Sequence, residues 1–183
     1  MRGVAPGIAV GCRSAMRPVV LLLALGLAAC GASLPPSDRH EVLATSIAPM
    51  RDMALGGKAV SVPVRGKVTL IDFWATTCEP CVRLMPAIGA MARDLGPRGL
   101  AVVGVARDDN PGLVQRKLDE LGVTYPVVLD GQGGQLAGAF HVGATLPQTF
   151  LVDASGRVRF VKVGESAGQA RALREAAEAL LGE

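Results

Sequence analysis

Residues 68–81 read Val-Thr-Leu-Ile-Asp-Phe-Trp-Ala-Thr-Thr-Cys-Glu-Pro-Cys, and they constrain the fold more than any other part of the chain. An apolar, β-rich run from Val68 ends at Ala75, and a helix starting near Cys78 follows. That puts Cys78 and Cys81 at a helix N-terminus, where the dipole and free N–H groups favour negative charge and ease ionisation of the first thiol. Two intervening residues let the sulfurs close a small ring without moving the fold, so the pair reads as a redox dithiol. Half of a zinc site is a poorer reading, because zinc needs two further ligands. Of the other cysteines and histidines, Cys12 and Cys30 lie in or next to a leader and His40 in a linker, which leaves His141 alone. A structural staple is also poor, since so short a loop removes little unfolded-state entropy.

The spacing around the dithiol resembles a known family. Asp72-Phe73-Trp74-Ala75-x-x-Cys78-x-Pro80-Cys81, with Pro86 five residues on, is similar to the active-site strand and helix of the thioredoxin superfamily. From about Ala48 onwards the chain resembles the TlpA/ResA-like branch of membrane-tethered, extracytoplasmic thiol–disulfide oxidoreductases. The resemblance implies an α/β fold of thioredoxin type, a central mixed sheet flanked by helices, here with an N-terminal β-hairpin extension.

The order of segments agrees with that class. Met50–Leu55 and Lys58–Pro63 flank Gly56-Gly57 as a hairpin. Val68–Trp74 is a strand. The helix after it places Met85, Ile88, Ala92 and Leu95 on one face, with a kink expected at Pro86 and a stop at Gly96-Pro97. Leu100–Ala106 is a continuous apolar run, as in a buried parallel strand. Asp108-Asp109-Asn110-Pro111 opens a helix to Leu121. Tyr125–Leu129 reads as a strand and Gln135–Phe140 as a short helix. Thr149–Val152 and Val158–Val163 form a hairpin, and a last helix runs from about Ser166 to Leu181. Alternation of strands and helices followed by a hairpin gives α/β with a mixed sheet.

The first 29 residues read as a leader. Val19–Ala29 is too short an apolar run to span a bilayer as a helix but suits a signal h-region. Leu27-Ala28-Ala29-Cys30 resembles a bacterial lipobox, which implies diacylglyceryl transfer to Cys30, cleavage before it and attachment to the periplasmic side of a membrane. An ordinary signal or an uncleaved anchor is the alternative. Translation from Met1 or Met16 gives the same mature chain. Gly31 to Ile47, with Ser33, Pro35-Pro36 and Ser37, reads as a flexible tether of on the order of 20–25 Å, with His40 solvated. Of the 19 lysines and arginines, Arg2, Arg13 and Arg17 precede Cys30, so the remainder balances the 16 acids. That offers no electrostatic case for nucleic acid.

Individual roles come from the resemblance. It implies Cys78 as nucleophile and Cys81 as the resolving thiol. Asp72 is costly in an apolar strand if charged and unpaired, so its pKa should be raised. It matches the aspartate that accepts the proton of the second cysteine; pairing with a nearby lysine is the structural alternative. Trp74 matches the tryptophan under the active site, although it could equally be plain core. Glu79 should oppose thiolate formation and, with Pro80, resembles the reducing members. Pro147 matches the family's cis-proline, beside which Leu146 would offer backbone N–H and C=O to an extended substrate. Two positions depart from the family pattern: Thr77 replaces a frequent tryptophan, and Leu84 stands where reducing members often carry glutamate.

The implied activity is reduction of disulfides in exported cysteine-containing proteins such as apocytochrome c, without a cofactor or metal. A membrane electron donor of the DsbD/CcdA type is implied for re-reduction. Two alternatives belong to other classes. A Sco-type chaperone could hold Cu(I) between two thiolates, with His141 as the one domain histidine. A peroxiredoxin-like peroxide reductase would need Pro and Thr or Ser where Ile71 and Ala75 stand.

Overall fold

A computed structural model describes residues 33–183 of the chain. The signal segment, Cys12, Met16 and the lipidation candidate Cys30 lie outside the described residues.

Strand β3 (Val68–Trp74) is the centre of the sheet and is buried along its whole length. Its apolar, β-branched sequence suits a strand covered on both faces. On one side it pairs in parallel with β4 (Leu100–Ala106), and β4 pairs in parallel with β5 (Val127–Leu129). On the other side β6 (Gln148–Val152) pairs antiparallel with β3, and β7 (Val158–Val163) antiparallel with β6. The resulting order is β5-β4-β3-β6-β7, the mixed sheet expected. The hairpin β1 (Met50–Met53) and β2 (Ala59–Val62) forms a separate two-stranded ribbon.

Helix α1 (Glu79–Leu95) links β3 to β4 and continues through Pro86. Its buried face is broader than the sequence spacing implies, because Cys81, Leu84 and Met91 join Met85, Ile88 and Leu95, whereas Ala92 is only half-buried. Helix α2 (Pro111–Leu121) is capped by Asn110, whose side chain accepts from the N–H groups of Gly112 and Leu113. It ends at Gly122 in the left-handed region, a conformation that costs glycine little. Residues of α1, α2 and α4 (Gln169–Leu181) form one core with Leu70 and Trp74. The short α3 (Gln135–Ala139) packs on the opposite face with Ile71, Phe73, Phe140 and Phe150.

Asp130, just after β5, ties α3 to the sheet. Its buried carboxylate accepts from the N–H groups of Leu136 and Ala137 at 3.1 and 2.7 Å and from the Arg107 guanidinium at 3.1 Å. Asp130→Ala leaves Arg107 and two N–H groups without that partner, so it should lower unfolding free energy by about 3 kcal/mol. Urea unfolding will read this as a lower midpoint at unchanged slope.

The stretch from Ser33 to Ile47 differs from the flexible tether expected. It lies along the outer edge of β7. The Asp38 N–H donates to the Val161 carbonyl, the Ala44 N–H to that of Val158, and the Val158 N–H back to Thr45. Val42 is buried in the α3-side core, worth about 2 kcal/mol. His40 is half-buried rather than solvated. Its ring meets Phe150 edge-on with centroids 5.2 Å apart, and burial pushes its imidazole below the ordinary value.

Candidate active site

The site lies where β3 gives way to α1. Ala75–Thr77 make the turn, closed by a hydrogen bond from the Cys78 N–H to the Ala75 carbonyl at 3.0 Å. Asp108, at the end of β4, fastens this turn by accepting from the Thr76 N–H at 2.9 Å and from the Thr76 hydroxyl at 2.6 Å. Sequence reading assigned Asp108 only to a helix start. Its approach to Thr76 depends on strand pairing, and nothing local signals it.

Cys78 caps α1, its sulfur accepting from the Cys81 N–H at 3.3 Å. Cys78 and Cys81 are joined as a disulfide, with Cα atoms 5.3 Å apart. Cys78 is partly exposed and Cys81 fully buried. An attacking partner therefore reaches the first sulfur and not the second. Glu79 opens the helix with Pro80 behind it in the first turn. The Glu79 side chain is exposed and lies 3.7 Å from Arg83, which also makes a forked pair with Glu165. Both Glu165 and Arg83 went unread in the sequence, since nothing in a one-dimensional pattern brings residues 83 and 165 together.

Beneath the helix, Leu70, Asp72 and Trp74 alternate onto the same face of β3, and the core there includes Cys81, Leu70 and Trp74. Asp72 is wholly buried. One carboxyl oxygen accepts from the Thr149 hydroxyl of β6 at 3.1 Å, and the other has no partner among the described residues. Burial pushes its pKa up to about 7, against a smaller lowering by Thr149. No lysine contributes, so the structural pairing considered from sequence is not what holds this acid. A carboxyl with that pKa exchanges protons at neutral pH.

The Leu146–Pro147 bond is cis, and Pro147 is buried while Leu146 is half-buried. Gln148, next in the chain, pairs with Phe73, so the prolyl turn enters the sheet at the end of β3 from which the dithiol loop leaves. The sequence-selected residues 72, 74, 78, 79, 80, 81, 146 and 147 thus gather at one end of the central strand pair. Thr77 is exposed and Leu84 buried. His141 is exposed and turned to Glu41, Nδ1 to carboxylate 2.6 Å.

The sequence pattern of the AhpC/TSA family matches residues 51–161. The chain belongs to that family. It is 32% identical over 158 residues to the thiol-disulfide oxidoreductase ResA of Geobacillus thermodenitrificans, covering 83% of this chain and 88% of that one. It is 36% identical over 116 residues to protein DipZ of Mycobacterium bovis, covering 60% of this chain but 16% of DipZ. The chain thus spans about one sixth of the length of that relative. Among solved structures, a thiol:disulfide interchange protein of the thioredoxin family from Chlorobium tepidum superimposes with a TM-score of 0.66 at 25% identity. That match covers 80% of this chain and all of the other. The chain also groups with the ResA family of thiol–disulfide oxidoreductases, on a thioredoxin-like fold, and its described residues hold one disulfide, Cys78–Cys81.

Proposed function

We propose that the protein is a membrane-tethered, extracytoplasmic reductase of disulfides in exported cysteine-containing proteins, apocytochrome c among them. The observation that carries this is the buried Asp72, with a pKa of about 7, on the sheet face that packs Cys81. In the reduced enzyme the Cys78 thiolate attacks one sulfur of the substrate disulfide, and the other substrate sulfur leaves as a thiolate. Asp72 takes the proton of Cys81. The Cys81 thiolate attacks the Cys78 sulfur of the mixed disulfide, releasing the second substrate thiolate and leaving Cys78–Cys81 oxidised. The backbone of Leu146, ahead of Pro147, holds an extended substrate beside Cys78.

Two electrons must then come from a donor. A membrane protein of the DsbD/CcdA type fits a chain tethered through lipid on Cys30 at the periplasmic side. No helix among the described residues is long and apolar enough to cross a membrane. Glu79 supports the reducing direction, since a carboxylate beside the dithiol disfavours the thiolate through which the reduced form is stabilised. The test is the reduction potential of the Cys78–Cys81 couple, equilibrated with dithiothreitol. A value near about −270 mV is expected, and one near about −120 mV would overturn the reducing direction.

The AhpC/TSA match favours a second reading, peroxide reduction. Ile71 and Ala75 stand where that chemistry wants proline and a hydroxyl, so hydrogen peroxide consumption by the reduced protein should be negligible beside disulfide reduction. For the Sco-type reading, His141 is directed to Glu41. Among the described residues no group of three or more His, Cys, Asp or Glu is placed to hold a metal.

A further inference from the structure

Of five buried side-chain polar atoms without a hydrogen-bond partner among the described residues, three belong to residues next to Gly104: Asp72 Oδ2, Trp74 Nε1 and the Tyr125 hydroxyl. Buried polar atoms are nearly always satisfied, so three in one region ask for a reason. Gly104 brings them together. It lies beside Asp72 in the β3–β4 register, so a side chain there would share the Asp72 face. A Cβ at Gly104 would stand 2.9 Å from Val127 Cγ2, 3.3 Å from the Tyr125 ring and 3.4 Å from Trp74 Nε1. The Tyr125 ring and the Trp74 N–H therefore fill the space next to Asp72 that any larger residue at 104 would need.

Among the described residues, none of the groups that act on Asp72 is a cation. Thr149 faces it from β6, Gly104 from β4 brings no side chain, and the disulfide-bonded Cys81 comes from α1. Packed on the same face, α2 and α4 contribute Val114, Leu118, Leu173 and Ala177, none of which titrates. From the approach to β5 comes Tyr125, whose phenol is raised first by burial and then by the Asp72 charge.

We propose that Tyr125, with the Trp74 N–H beside it, is the positioning residue of the Asp72 proton. Its hydroxyl makes no direct hydrogen bond to Asp72; it acts through a buried water bridging it to the free carboxyl oxygen, and so sets the pH at which Asp72 exchanges a proton with Cys81. The last clause rests on the proton-transfer role given to Asp72 above.

The chain has one tryptophan and one tyrosine, so both partners can be watched without labels elsewhere. In the oxidised full chain, where the dithiol does not titrate, Trp74 fluorescence should show an inflection near neutral pH that Asp72→Asn removes. Thr149→Val, which deletes a known donor to Asp72, should move the inflection up by about one pH unit. Tyr125→Phe should move it up by a similar amount. An inflection that moves in Thr149→Val but not in Tyr125→Phe overturns the proposal. Should Tyr125→Phe fail to fold, 3-fluorotyrosine incorporated at the single tyrosine gives a second reading. Its fluorine resonance should titrate with Trp74 and lie flat in Asp72→Asn, and a flat resonance in the unmutated chain overturns the proposal. These readings need no substrate, so they stand or fall apart from the reductase activity. The pH–rate profile of disulfide reduction should shift with the fluorescence inflection in Tyr125→Phe. A spectroscopic shift with an unmoved rate profile overturns the Cys81 clause alone.

Discussion

Cys78→Ser will lower disulfide reduction by about a thousandfold or more, since removing a nucleophile leaves only binding and residual catalysis. The loss will be chemical rather than structural. Cys78 caps α1 through its sulfur, and a serine hydroxyl is itself a favoured N-cap acceptor, so the helix start should keep its hydrogen bond to the residue 81 N–H. Cys81→Ser will behave differently. The partly exposed Cys78 still attacks, but the buried position no longer carries a thiol to resolve the product, so a mixed disulfide with the substrate should accumulate. Mass measurement of the chain after incubation with oxidised insulin distinguishes the two. A covalent adduct in Cys81→Ser and none in Cys78→Ser is expected; the opposite pattern would reverse the two roles.

Asp72→Asn will stabilise the folded protein above neutral pH while slowing it as an enzyme. In the fold the carboxyl titrates at about 7, against 3.8 for the ordinary group. Between those values the folded chain holds a proton that the unfolded chain has lost. Stability from this group is therefore fully present below about pH 4, falls as pH rises through the window, and is lowest above about 7. The gap corresponds to about 4 kcal/mol. Asparagine keeps an oxygen for the Thr149 hydroxyl and carries no charge, so it avoids this loss. Thermal unfolding of the oxidised protein should show Asp72→Asn melting about 10 °C higher at pH 8 and level with the unmutated chain at pH 4. An equal difference at both pH values would show that Asp72 does not ionise in the fold. Turnover should fall by about a hundredfold or more at neutral pH, as for loss of a general base.

The central strand and its helix are legible because their signals are local. The buried β3 run, the helix start at the dithiol and the Asn110-Pro111 cap each specify themselves within a few residues. Asp72 announces itself as a carboxylate among apolar neighbours, and its raised pKa follows from burial alone. Features made by pairing are not legible in this way. Gly104 reads as one more small residue in an apolar run until β3 sets it beside Asp72. Tyr125 reads as the first residue of a strand, yet it lies ahead of β5 and turns a hydroxyl into the core. The stretch from Ser33 to Ile47 has little periodicity because it docks through main-chain hydrogen bonds and a single buried valine, neither of which leaves a repeating pattern.

That stretch also bears on how the edges of the sheet are protected. A sheet edge with unpaired N–H and C=O groups recruits foreign strands, and the proposed reduction of exported cysteine proteins would bring many within reach. Here one edge, β7, is hydrogen-bonded to residues from Asp38 to Ile47. At the other, β5 is met by Ala54 bridging Val128 and by the Leu55 N–H donating to Val127. Both covers precede the five strands in the sequence. A chain emerging N-terminus first would bring out its edge guards before the edges they guard. In the folded protein, neither outer strand then presents a bare edge along these contacts, and under the proposed function client contact falls to the short turn at Leu146.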